Sequence, residues 1–142
     1  SWKYFKPFES NLRFQFTFRD HIKKQAEYSL RSILESYRHY KKLENPFKTF
    51  IGIHVRRGDY AKYFPPNKTS VINLPTSSYF ERAKDYFRTR HSSPVFVVCS
   101  DDIDWCENNI SPEETVFIQG NTPEVDLAIL GSLNHTITSF GT

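Results

Sequence analysis

The strongest constraint on the fold is a change of hydrophobic period at Asn45-Pro46. Upstream, Ile22, Ala26, Leu30, Ile33, Leu34 and Tyr37 recur at helical spacing over residues 20–43, with Asp20 placed to cap the helix. Downstream come four short runs rich in apolar and β-branched residues, at 47–55 (FKTFIGIHV), 94–99 (PVFVVC), 115–119 (TVFIQ) and 135–139 (HTITS). The first two are apolar enough to be strands covered on both faces. Helical segments separate the runs. One spans 78–91 and opens on a Ser78/Glu81 capping box, one spans 101–109 with acids in its first turn, and one starts at Thr122 and Pro123 in the N-cap and first positions.

Strands alternating with helices imply parallel β-α-β units, so the predicted class is α/β with an open parallel, Rossmann-like sheet behind a long N-terminal helix. The division falls at residue 46, with a helical segment 1–46 and a sheet region 47–142. Residues 58–76, with Gly58 and three prolines, read as a long loop. Residues 1–18 carry Trp2, Tyr4, Phe5, Phe8, Phe14, Phe16 and Phe18 and are expected to pack irregularly or as a short helix. No helix follows the fourth strand, so a further C-terminal part of the layer is expected.

Charge narrows the function. Of the 142 residues, 1–90 hold all 19 Lys and Arg against 8 acids (+11), whereas 91–142 hold 8 carboxylates and no Lys or Arg (−8). A uniformly basic nucleic-acid binder is excluded, because the last third would repel phosphates. No apolar run approaches the roughly 18 residues of a membrane span. Two cysteines, Cys99 and Cys106, do not make a disulfide scaffold and are expected as free thiols.

In an open α/β sheet, ligands bind beyond the carboxyl ends of the strands. His54-Val-Arg-Arg-Gly-Asp59, Ser100-Asp-Asp102, Gly120-Asn-Thr122 and Ser139-Phe-Gly-Thr142 all lie there and are expected to converge on one crevice. Arginine offers a planar fork that grips phosphate through two hydrogen bonds. Neighbouring side chains on an extended chain point to opposite faces, so one of Arg56 and Arg57 should enter the crevice while the other pairs with an acid such as Asp59. Gly58 lets the backbone turn. His54 either bonds a phosphate or sugar hydroxyl or holds a loop carbonyl. Asp59 orients an arginine, caps a turn or accepts a proton. Asp102-Ile-Asp104 has the Asp-x-Asp form some sugar transferases use for a metal–diphosphate, but acids at a helix start are explained by capping; alternatively one receives a nucleotide ribose or base. Asp126 sits in the first turn of the last helix. No metal site is expected. Of three sequons, Asn67-Lys-Thr69 is the plausible glycan site, and Asn109 and Asn134 lie in poor contexts.

His54-Val-Arg-Arg-Gly-Asp-Tyr60 resembles the hallmark motif of the α-1,2-fucosyltransferases of glycosyltransferase family 11. The likeness continues through Ser1-Trp-Lys-Tyr-Phe5, Phe87-Arg-Thr-Arg-His91, Pro94-Val-Phe-Val-Val98, Trp105-Cys-Glu-Asn-Asn-Ile110 and Asn134-His-Thr-Ile137, nearly the whole chain. The resemblance implies a GT-B-like, inverting, metal-independent transferase. It would move L-fucose from GDP-β-L-fucose to the 2-hydroxyl of a terminal galactose, with no cofactor. It implies Arg56 and His54 on the donor diphosphate, Asp101 or Asp102 and Asp126 facing the nucleoside, and Ser139 and Thr142 facing the phosphates, with Arg57 counted among the donor contacts. Arg56 is the expected catalytic arginine, and the base that takes the acceptor proton is either Asp59 or a residue outside this chain. A type II Golgi membrane protein with a lumenal catalytic domain is implied, anchored by a segment outside this chain. The rival readings are a non-catalytic nucleotide-sugar or glycan-binding module and a fucosyltransferase for protein hydroxyls or N-glycan cores.

Overall fold

The computed structural model describes residues 2–41, 49–63 and 74–139. After two 3-10 turns, Trp2–Tyr4 and Lys6–Phe8, come α1 (Glu9–Gln15), α2 (Asp20–Lys41), β1 (Thr49–Val55), α3 (Gly58–Tyr63), α4 (Ser77–Arg88), β2 (Pro94–Ser100), α5 (Ile103–Asn109), β3 (Thr115–Phe117), α6 (Pro123–Ser132) and β4 (His135–Thr138). The predicted α/β class with a parallel sheet is what the chain adopts. All pairings are parallel, in the order β3-β2-β1-β4. Val55 is level with Ser100 and His54 with Thr138, so β1, β2 and β4 end together.

Strand alternation sorts the core into two layers. Val95, Val97 and Cys99 of β2 pack with Ala26 of α2 and Val125, Ala128, Ile129 and Leu130 of α6. Ile51, Ile53 and Val55 of β1 and Phe96 and Val98 of β2 face the other way, onto Phe80 of α4 and Cys106 of α5. Full burial of each Val, Leu, Ile or Phe among them contributes about 1.5–3 kcal/mol. Gly52 lies on the α6 side, where a Cβ would come 2.7 Å from Leu130 Cδ2, so the absent side chain lets α6 sit close against β1. Cys99 and Cys106 lie in opposite layers with the sheet between them, both buried as free thiols.

Several local expectations are corrected. The segment read as one long loop from Gly58 opens as α3; residues 64–73 lie outside the described residues. The Ser78/Glu81 box does not form. Thr76 is the N-cap, and Glu81 Oε1 accepts from the Ser111 backbone N–H instead (2.9 Å), a tertiary partner outcompeting the local one. Asp20 is the first residue of α2 rather than its cap, with Lys23 N–H bonded to Arg19 O (3.1 Å). The helix expected from residue 101 starts at Ile103, with Asp102 as its cap. The aromatic N-terminus forms its turns and short helix, but Tyr4, Phe5, Phe8, Phe14 and Phe16 stay exposed, whereas Phe18 is partly buried against the core. No described helix is long and apolar enough to cross a membrane.

Candidate functional site

Beyond the strand ends lies a cavity of about 630 Å³ whose lining includes His54, Arg56, Asp59, Asp101, Asn121 and Asp126. Three of the four expected segments therefore supply its walls. The fourth, after β4, contributes from behind. Arg56 N–H donates to Ser139 Oγ (2.8 Å), and Ser139 N–H donates to His54 O (3.1 Å). Thr142, the other phosphate-facing candidate, and the sequon residue Asn67 lie outside the described residues.

Strand parity places the side chains. His54 follows Gly52 onto the α6 side of the sheet, and Arg56 continues that parity into the crevice. Arg57 takes the parity of Val55 and falls on the α5 side. Its guanidinium lies over the Trp105 ring at 3.8 Å from the centroid, and its Nε is 3.5 Å from Asp102 Oδ2. Neither Arg57 nor Asp102 lines the cavity. Asp102 is further engaged as the α5 cap, accepting from Trp105 N–H (3.2 Å). One arginine entering the crevice was expected, with the other on Asp59. The structure instead gives Arg56 both roles, its Nη2 bonding Asp59 Oδ1 and Oδ2 at 3.3 and 3.1 Å. Arg56 Nε and Arg57 Nε are both buried without a hydrogen-bond partner among the described residues, so each guanidinium keeps an unused donor.

Gly58 has a different purpose from the turn foreseen for it. Its φ is not positive, but a Cβ would lie 2.8 Å from Asp101 Oδ2. The bare backbone admits the Asp101 carboxylate, whose Oδ1 accepts from Arg57 N–H (2.7 Å). Ser100 Oγ donates to Val55 O (2.7 Å) and accepts from Asp102 N–H (2.9 Å), joining the ends of β1 and β2.

Asp126 and His54 face each other across the crevice. Burial raises the Asp126 pKa, opposed by the hydrogen bond from Asn121 Nδ2 (3.1 Å) and by the charge of His54. Burial lowers the His54 pKa and Arg56 adds to this, while Asp101 and Asp126 pull it back up. Asn121 Oδ1 accepts from Ser29 Oγ of α2 (3.0 Å), so the long helix orients the acid of α6. The sequence located the segment holding Asn121 but carried no signal for this relay, because Ser29 and Asn121 are 92 residues apart. Among the described residues, no group of three or more His, Cys, Asp or Glu could hold a metal ion. Asp104, the second acid of Asp-x-Asp, is exposed in the first turn of α5, on an element that leaves Asp102 committed to Arg57 and Trp105.

A parallel sheet that gathers an arginine fork, a histidine and three carboxylates beyond its strand ends defines an α/β protein with a polar ligand crevice. The chain belongs to glycosyl transferase family 11, whose model matches residues 1–142. It is 39% identical over 147 aligned positions to galactoside alpha-(1,2)-fucosyltransferase 1 of Homo sapiens and 38% identical to that of Ateles belzebuth. These alignments cover 100% of this chain and 38% of each relative, so the chain spans well under half the length of the curated relatives it matches. No solved structure matches it.

Proposed function

We propose that the protein containing this chain transfers L-fucose from GDP-β-L-fucose to the 2-hydroxyl of a terminal galactose, with inversion and without a metal, in a GT-B-like catalytic domain facing the Golgi lumen. The observation that carries this reading is the cation–acid division of the crevice. Arg56 offers a diphosphate its fork, and His54, Asp101 and Asp126 line the remainder. The name of the human relative, galactoside alpha-(1,2)-fucosyltransferase 1, supports fucose transfer to a galactoside.

The chemistry follows from charge. Breaking the sugar–phosphate bond builds negative charge on the leaving GDP and positive charge on the fucosyl carbon. A preorganised donor aimed at the developing charge lowers the barrier, and a fixed guanidinium does this with little reorganisation. Arg56 N–H and Arg57 N–H are already engaged by Ser139 and Asp101, so the Arg56 side chain bears this task. Asp59 holds Arg56 in position and lines the crevice, where it is a candidate to take the acceptor proton. With Asp102 committed elsewhere, the guanidinium takes the neutralising role that a divalent cation has in other transferases.

Arg56→Lys in the full-length protein should abolish transfer while leaving the protein folded, because lysine keeps the charge and loses the fork. Transfer at the wild-type rate would overturn the assignment. GDP binding by the wild-type protein with no product on any galactoside would instead favour a binding module. Activity should persist in EDTA; loss restored by Mn²⁺ would overturn the metal-independent reading.

A further inference from the structure

Arg57 adjoins the crevice arginine in sequence yet points away from the cavity, and its side chain is packed and ion-paired although its buried Nε makes no hydrogen bond among the described residues. Only 17% of its side chain is exposed. The guanidinium carbon lies 3.8 Å from the Trp105 ring centroid, and Asp102 Oδ2 forms an ion pair with Nε at 3.5 Å. Asp102 is itself fixed by Trp105 N–H and, through its own N–H, by Ser100 Oγ. The Arg57 backbone is held separately by Asp101, in the space that Gly58 leaves open.

We propose that Arg57 is a positioning residue for the donor site: its side chain, clamped between Trp105 and Asp102, fixes the turn after β1 so that Arg56 is aimed into the crevice, and it makes no contact with the donor. This rests on reading the crevice as a diphosphate site. Two adjacent arginines on extended backbone diverge, so locking one determines the direction of the other. The clamp also removes the second positive charge as a competitor, since Asp102 cancels it and the indole face shields it. Lysine would lack the planar face that stacks on Trp105.

Calorimetry with GDP tests the proposal in the full-length protein, using Arg57→Gln alone and combined with Arg56→Lys. Arg57→Gln should weaken GDP about tenfold when Arg56 is present, comparable to losing one charge-assisted contact, and less than about twofold when position 56 is already lysine. Equal losses in the two backgrounds would show that Arg57 acts independently of Arg56, by touching the nucleotide or by merely supporting the fold, and would overturn the proposal, as would wild-type affinity in Arg57→Gln. If the wild-type protein binds no GDP, the diphosphate reading fails by itself, and amide hydrogen exchange without nucleotide decides on the clamp. Faster exchange confined to Arg56 and Arg57, with the interior of β1 unchanged, supports it; unchanged exchange at both, or acceleration throughout β1, overturns it.

Discussion

The Arg56 backbone N–H donates to Ser139 Oγ at 2.8 Å, joining residues 83 positions apart. The bond ties the end of β1 to the end of β4 directly behind the arginine that enters the crevice. Ser139 is 7% exposed, so water cannot readily replace its hydroxyl. Ser139→Ala should therefore cost about 1–2 kcal/mol, the price of an unpaired, partly buried N–H. Urea denaturation reads the loss, and an unchanged midpoint would show that the tie contributes nothing.

Gly58→Ala introduces a Cβ that meets the Asp101 carboxylate at 2.8 Å. The carboxylate is the movable end of its side chain, so the expected cost is its hydrogen bond to Arg57 N–H, about 1 kcal/mol. In an Asp101→Ala background the same substitution should be nearly neutral. Equal costs in the two backgrounds would place the need for glycine elsewhere.

The His54 imidazole should titrate below its ordinary value of 6.5, chiefly because burial disfavours its charged form. Asp101→Asn or Asp126→Asn should lower the midpoint further, since both carboxylates favour the imidazolium. Because the unfolded state takes up this proton first, the His54 contribution to stability is full above pH 6.5 and is lost as pH falls from there through the folded value. Asp126, whose pKa burial raises above 3.8, works in the opposite sense: its contribution grows as pH falls through the folded value toward 3.8. NMR titration of the His54 ring checks the first statement, and a midpoint above 6.5 would contradict it.

Lys84 is fully buried on α4. Its Nζ donates to Ser111 O (2.8 Å), Glu113 O (3.2 Å) and Thr115 Oγ1 (2.9 Å), fastening the turn before β3. Lys84→Met keeps the methylene stem but strands these acceptors, and about 2–4 kcal/mol of stability should be lost. The stabilities of the two proteins by chemical denaturation decide this; a change under 1 kcal/mol would mean that the acceptors find other partners.

The alternation of strands and helices was legible because each signal is local. Pro94-Val-Phe-Val-Val98 reads as a buried strand and lies wholly inside the two-layer core. The strand-end rule likewise located His54, Arg56 and Asp101, whereas Asp126 was placed at the crevice only by the family resemblance. The local pattern misled where a distant partner won. Glu81 looked like half of a capping box and serves Ser111, 30 residues away. Gly58 looked like a turn residue and is a gap for Asp101, 43 positions on in the sequence. Arg56 and Arg57 were separable in principle by parity, but which of the two enters the crevice depends on Trp105 and Asp102 standing on one side of the sheet and Asp126 on the other.

By itself the sequence determined the class of fold, the order of its elements and the end of the sheet at which polar groups collect, because hydrophobic period and strand polarity are properties of short segments. Tertiary structure decided which atoms those groups hold. It gave Arg56 to the crevice, Arg57 to Trp105, Asp102 to capping and Asp126 to a relay reaching back to Ser29. Those choices turn on which helix lies against which face of the sheet, and that is settled only when the whole core packs.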